Sequence, residues 1–265
     1  MDLTNNVIIH KNIDGTEFIQ FRKLLEYTNI KHCYTLKRNG INIQTKNGDK
    51  TELISSFKKI ANALNIDYKS IIKPYQTHTD KVEKVESSEE IFEEVDGLIT
   101  NKNNIMLCTT SADCTSLIIY DDVKKVVCDV HSGWRGTVKK IAKKAIKKMI
   151  DEYGCNPKDI ITCIGPSIRK CHFEVDEDVM NVFKDKFNYT GRINEIIEKG
   201  KVINGLQKFN IDTTLIIKIS LEEAGIRKEN IFDCGICTVC NKDLFHSYRA
   251  DKENSGRNGA FIGMF

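Results

Sequence analysis

Apolar positions along this chain follow two rhythms. Short runs rich in β-branched and aromatic residues predict strands at Phe18–Phe21, Cys33–Leu36, Ser70–Lys73, Lys81–Val85, Gly97–Thr100, Ile105–Thr109, Ser116–Tyr120, Lys124–Val130 and Asp159–Ile164. Later runs at Ile231–Cys234 and Phe245–Tyr248 have the same character. Apolar residues three and four apart predict helices instead. Asp49–Lys50–Thr51–Glu52 has the order of a capping box, and Leu53, Phe57, Ile60, Ala61 and Leu64 follow at helical spacing. The stripe Val138, Ile141, Ala142, Ala145, Ile146, Met149 and Ile150 predicts one amphipathic helix over 137–153, with Gly154 just past its end. Further helices are predicted near Asp176–Phe187 and over Asp212–Ala224, the latter stopped by Gly225.

Strands outnumber helices and form an uninterrupted central group. That order predicts an α+β (α/β-layered) arrangement of mixed β-sheets flanked by helices rather than a doubly wound fold. No repeat or low-complexity linker divides the 265 residues, and three prolines mark no boundary, so one domain over 1–265 is the expectation.

Composition changes the picture little. A hydrophobic content of 40% and a charged content of 29% suit a soluble globular chain, and a net charge of +3 is too small to argue for nucleic acid or an anionic membrane. Runs such as Leu117–Tyr120 are far short of a membrane span. The N-terminal segment lacks the pattern of a signal peptide, which points to the cytosol and makes the ten cysteines thiols or ligands rather than a disulfide framework. Nothing in the pattern specifies an oligomeric state.

Residues that can do chemistry cluster at predicted strand ends: Tyr75–His78, Ser111–Cys114 and Val130–Gly133, the last within CDVHSGWRG, which holds the sole tryptophan. Two imidazoles and a thiolate, His78, His131 and Cys114, suit Zn2+ and would leave a fourth position open. Their separations are not those of a zinc finger, so spacing alone leaves both a metal and buried structural roles open.

These segments together resemble the YfiH-type family, also called the laccase-domain or polyphenol oxidase family, whose members are described as zinc-dependent purine nucleoside phosphorylases with adenosine deaminase activity. The matching pieces are QTH at Gln76–His78, DGLIT at Asp96–Thr100, SADC at Ser111–Cys114, HSGWRG at His131–Gly136, GPSI at Gly165–Ile168 and FEV at Phe173–Val175. CT at Cys237–Thr238, SYR at Ser247–Arg249 and GR at Gly256–Arg257 follow in order, and Arg38–Asn39–Gly40 resembles an earlier Arg-Gly-Gly turn.

The resemblance implies a catalytic Zn2+ held by His78, Cys114 and His131, with copper a weaker fit. It implies purine nucleosides and phosphate as partners: adenosine, inosine, guanosine or S-methyl-5'-thioadenosine. Phosphorolysis needs cations for phosphate, for which Arg38, Arg135, Arg249 and Arg257 are candidates because guanidinium binds phosphate bidentately. Asp113, Gln76 and Ser247 are candidates to orient substrate hydroxyls or base edges, and Trp134 would stack on a base or pack its turn. Three departures bear on loop shape and substrate preference: Thr79 where the family has Gly, Thr115–Ser116 where it has Pro, and His246 and Ala250 around SYR. A second reading makes Cys114 and His131 a nucleophile and base of a cysteine amidase acting on peptidoglycan precursors. A copper oxidase fits less well, since such enzymes use several coppers and many histidines and this chain has six.

Other features have plainer readings. Cys234, Cys237 and Cys240 in CGICTVC suggest either a zinc clip completed by His246 or a strand with alternating buried thiols. Cys171 and His172 either line a pocket or are structural, and His10 and His32 look partnerless. The lysine pairs at 139–140, 143–144 and 147–148 lie opposite an apolar stripe and read as a solvated face, not a nucleic-acid surface.

Overall fold

The structure is a computed structural model, and it describes residues 2–45 and 48–265. With strands numbered along the chain, one sheet runs β1 (Ile8–Ile13), β2 (Thr16–Phe21), β3 (Ile30–Thr35), β15 (Asn258–Met264), β7 (Ile105–Ser111), β4 (Ile71–Ile72). A second runs β14 (Ile231–Asp233), β10 (Ile160–Ile164), β8 (Thr115–Asp121), β9 (Val126–Ser132), β6 (Gly97–Thr100), β5 (Val82–Lys84). A three-stranded sheet joins β11 (Glu174–Val175), β13 (Leu206–Ile211) and β12 (Ile197–Ile203). Both large sheets are mixed: β4 with β7, β5 with β6 and β10 with β14 are parallel pairs in otherwise antiparallel ladders.

The period-2 alternation of the strands sends side chains to two different cores. In β7, Ile105 and Leu107 face the second sheet, while Met106 and Cys108 face α1 (Thr51–Leu64). In β9, Val127 points into the space between the sheets, and Val126, Cys128 and Val130 pack on α3 (Ile141–Tyr153) and α6 (Thr213–Glu223). The layers therefore run helix, sheet, sheet, helix, as the strand-rich pattern predicts. A fourth apolar cluster, around Phe183 and Phe187, joins α4 (Glu177–Phe187) and α5 (Ile193–Ile196) to the small sheet. Among the described residues no helix is long and apolar enough to cross a membrane, and all ten cysteines are unpaired.

Several predicted elements are corrected. The helix expected over 137–153 is two helices, α2 (Trp134–Val138) and α3, broken where Lys140 takes a left-handed backbone with φ 59°. The two pieces pack on different surfaces: Trp134 and Val138 join the Phe183 cluster, whereas Ile141–Met149 cover the second sheet. The capping box is not formed. The Asp49 carboxylate accepts from the Thr51 N–H (2.8 Å) and hydroxyl (2.7 Å) in an Asx turn, and Lys50 takes the N-cap position, so α1 begins one residue later than the motif suggests. Phe245–Tyr248 is not a strand; Ser247 instead caps α7 (Tyr248–Asp251) by accepting the Ala250 N–H. CGICTVC is turn rather than strand, with Cys234 and Cys237 buried and Cys240 exposed. His10 is 3.1 Å from Glu17 Oε2, and the His32 Nε2 accepts the Phe21 N–H, so neither lacks a partner.

Candidate metal centre

Three strand ends meet at one place. Cys114 immediately precedes β8, His131 lies near the end of β9, and His78 sits in the loop beyond β4. Their ligand atoms lie within 4.8 Å of one another, with Cys114 Sγ 3.8 Å from His78 Nε2 and the two imidazoles edge to face at 5.0 Å. Left-handed backbone at His78 (φ 62°) and Asp113 (φ 82°) turns the two loops toward each other. Such conformations cost on the order of 1 kcal/mol or more each and persist only where surrounding bonds impose them.

The imposing group at His78 is Asp96, wholly buried just before β6. Its carboxylate accepts from the backbone N–H groups of Thr77 (3.3 Å), His78 (3.1 Å) and Thr79 (2.6 Å) and from the Thr79 hydroxyl (2.6 Å). The same carboxylate lies 2.7 Å from His131 Nδ1, which leaves Nε2 as the ring's metal-facing nitrogen. Burial alone would raise Asp96, but the His131 and Thr79 bonds outweigh it and hold the carboxyl at about 2. Burial would likewise lower His131, yet the neighbouring Cys114 thiolate and Asp96 keep it at about 9. Cys114 shows the converse: burial opposes ionisation, and the two histidines still pull the thiol down to about 6. A thiolate facing imidazoles is a donor set that suits a borderline-soft divalent ion. Gly133 makes room for it, because a Cβ there would lie 2.6 Å from His78 Cδ2 and 3.2 Å from Cys114 Sγ.

A cavity of about 350 Å³ adjoins the three donors and is bounded also by Gln76, Thr110, Ala112, Tyr248 and Arg257. A smaller one, about 150 Å³, shares Ala112, Cys114 and Tyr248 with it and adds Trp134, Ile168, Phe173 and Arg249. The remaining predicted site residues divide by what their polar atoms already do. Gln76 is paired in both directions with Thr110, donating to its carbonyl and accepting its N–H, each at 2.8 Å. Asp113 accepts from the Thr238 hydroxyl and the Arg249 N–H, both 2.6 Å away. Ser247 is fully buried as a helix cap. Arg249 donates to the carbonyls of His172 (2.8 Å) and Glu174 (3.0 Å). Arg38 pairs with Glu17 at 3.5 Å and Arg135 lies 4.4 Å over the Trp134 ring, and neither bounds the two cavities. Trp134 packs on Phe183. Arg257 bounds the larger cavity with only Nη1 engaged among the described residues, on the carbonyls of Ser255 and Gly256. Asp96 is the functional residue that spacing did not single out; the DGLIT motif was its one trace.

Lys140, at the N-terminal end of α3, and Lys143 are matched by Glu223, Lys144 by Asp80 and Lys147 by Asp151. That agrees with a solvated, paired face.

Fold and site together define a class: layered α+β proteins that present an open nitrogen–sulfur donor triad at central strand ends. The chain belongs to the family described as multi-copper polyphenol oxidoreductase laccase, which residues 31–265 match. It is 30% identical over 234 residues to purine nucleoside phosphorylase YlmD of Bacillus subtilis (strain 168), covering 85% of this chain and 81% of that one. It is 29% identical over 238 residues to adenosine deaminase RL5 from an unknown prokaryotic organism, covering 86% and 87%. The solved structure of Bacillus licheniformis hypothetical protein YfiH superposes with a TM-score of 0.84 at 26% identity, over 97% of this chain and 99% of that one.

Proposed function

We propose that the chain, acting as one catalytic unit over 1–265, is a zinc-dependent purine nucleoside phosphorylase that also deaminates adenosine. Its partners are then small purine nucleosides and phosphate. The observation that carries this reading is the convergence of His78, Cys114 and His131 beside a cavity that Arg257 and Tyr248 also bound. The names of the relatives support the choice of reaction.

When bound, zinc in this cluster supplies a Lewis acid with one coordination position open to water or substrate. Asp96 keeps a proton on His131 Nδ1, so that the ring offers its Nε2 lone pair. In phosphorolysis phosphate attacks the anomeric carbon as the bond to the purine breaks, with positive charge growing on the sugar and negative charge on the base. Arg257, the candidate arginine that bounds the cavity beside the triad, holds the phosphate. Trp134, Ile168 and Phe173 form the apolar wall that takes the base and excludes water. Arg249 shapes that wall through His172 and Glu174 rather than binding phosphate.

Purified protein is incubated with adenosine, with and without phosphate, and the products are separated. Adenine formed only with phosphate bears out phosphorolysis, and inosine in both bears out deamination. His131→Ala is expected to lose bound metal and both activities, and full turnover in that variant rules the reading out.

One observation favours a second reading. Cys114 lowered to about 6 beside His131 raised to about 9 is also the ionised pair of a cysteine nucleophile. Ligation and nucleophilicity compete for one thiolate, so metal-free protein that cleaves a muropeptide would favour the amidase. A multicopper oxidase finds less support, because the triad contributes two histidines and offers donors for one ion.

A further inference from the structure

Away from the triad, a second group of metal-type donors comes together where two loops meet. The loop after β10 brings Cys171 and His172, and the loop after β14 brings Cys237 and Cys240. Their four donor atoms lie within 4.8 Å of one another. Cys171 Sγ is 3.8 Å from Cys240 Sγ, and His172 Nδ1 is 3.2, 3.7 and 3.5 Å from the sulfurs of Cys171, Cys237 and Cys240. A tetrahedral zinc, with Zn–S of about 2.3 Å and Zn–N of about 2.0 Å, requires S···S edges near ~3.8 Å and N···S edges near ~3.5 Å. The four observed distances, 3.8, 3.2, 3.7 and 3.5 Å, lie close to those edges.

We propose that Cys171, His172, Cys237 and Cys240 bind a second zinc ion in a closed, four-donor site whose role is structural. Cys237 and Cys240 are separated by two residues in a Cys-x-x-Cys turn, the spacing with which one loop supplies two ligands to a structural zinc. His246, the fourth donor the sequence suggested, is elsewhere, with its Nε2 2.9 Å from the Ile41 carbonyl. Cys234 is also outside the group, buried and 3.6 Å from an Arg169 guanidinium nitrogen.

The site reaches the catalytic pocket through three links. Phe173 follows His172 and bounds the smaller cavity. Arg249 bounds it too, and donates to the His172 carbonyl. Thr238 follows Cys237 and donates to Asp113, the neighbour of Cys114. The ion therefore clamps two irregular loops that meet, backbone to backbone, where Ser167 bridges Cys237 by donating its N–H to the Ile236 carbonyl and accepting the Thr238 N–H. With all four positions filled by protein, it performs no chemistry of its own.

The test separates the two sites. Metal is measured by elemental analysis of reduced, full-length wild type, of Cys114→Ala, which disables the triad, and of the double variant Cys171→Ser/Cys240→Ser, which changes two exposed positions. The expected zinc contents are two, one and one equivalents. Cobalt-substituted Cys114→Ala is expected to show strong thiolate-to-metal charge-transfer absorbance from the remaining three-sulfur site. Because Cys171 and Cys240 are exposed, a thiol reagent should modify them in wild type only after a chelator is added. The proposal is overturned if folded Cys114→Ala holds no zinc and gives no such absorbance. It is equally overturned if the two thiols react at once without chelator, or if mass spectrometry finds them joined as a disulfide.

Discussion

Asp96 does at the scale of one residue what the fold does at larger scale: it ties separate segments to a common point. Its oxygens receive three N–H groups and a hydroxyl from the His78 loop and one ring nitrogen from His131. Asp96→Asn keeps the shape but removes the charge and half the acceptors, so zinc affinity of the triad should fall about 10- to 100-fold. Competition with a chromogenic chelator measures this, and unchanged affinity would show that the carboxylate has no hold on the ligand. The three donors were singled out in the sequence by the chemistry of thiolate and imidazole, but spacing alone left buried structural roles open and only the family resemblance joined them as one ligand set. Asp96 was not singled out, since a lone acid before an apolar run resembles any other turn residue. The jobs of Gln76, Asp113 and Ser247 were equally hidden, because they depend on Thr110, Thr238 and Ala250, partners that only folding supplies.

Among the elements, those with a clean period were readable and those built on close approach were not. The stripe of α1 and the short apolar runs of β7, β8 and β9 are visible in the chain, and the structure buries them. The break at Lys140 was not visible, because the apolar spacing runs on while the packing partner changes. β15 escaped because Asn258–Met264 carries glycines at positions where strands favour bulk. The structure gives the reason at Gly263, where a Cβ would strike the Ile105 carbonyl of β7. Gly263→Ala should therefore destabilise by ~1–3 kcal/mol or more, through strain that the backbone cannot relieve cheaply. Urea unfolding reads the change as a lower midpoint at constant slope, and an unshifted midpoint would contradict the close approach.

For the whole molecule, the sheet-on-sheet core sets a response to acid that is independent of the metal. His32 is wholly buried in β3, and burial lowers it from 6.5 to about 3. Above pH 6.5 both folded and unfolded chains hold the ring neutral. Below it the unfolded chain takes up a proton that the core refuses, so stability falls by about 1.4 kcal/mol per pH unit until the folded value is approached. Thermal melts of wild type and His32→Gln between pH 7 and pH 4.5 compare the two, and the wild-type curve should be the steeper; parallel curves would remove His32 as the cause. The position of β15 has a consequence of another kind. It lies between β3 and β7, and Gly259 reaches Thr35 across 224 positions. Closing so long a loop is slow, and until it happens two neighbouring strands expose bare hydrogen-bonding edges to other molecules. Recovery of this protein from denaturant should thus depend steeply on its concentration, with dilute samples renaturing and crowded ones precipitating.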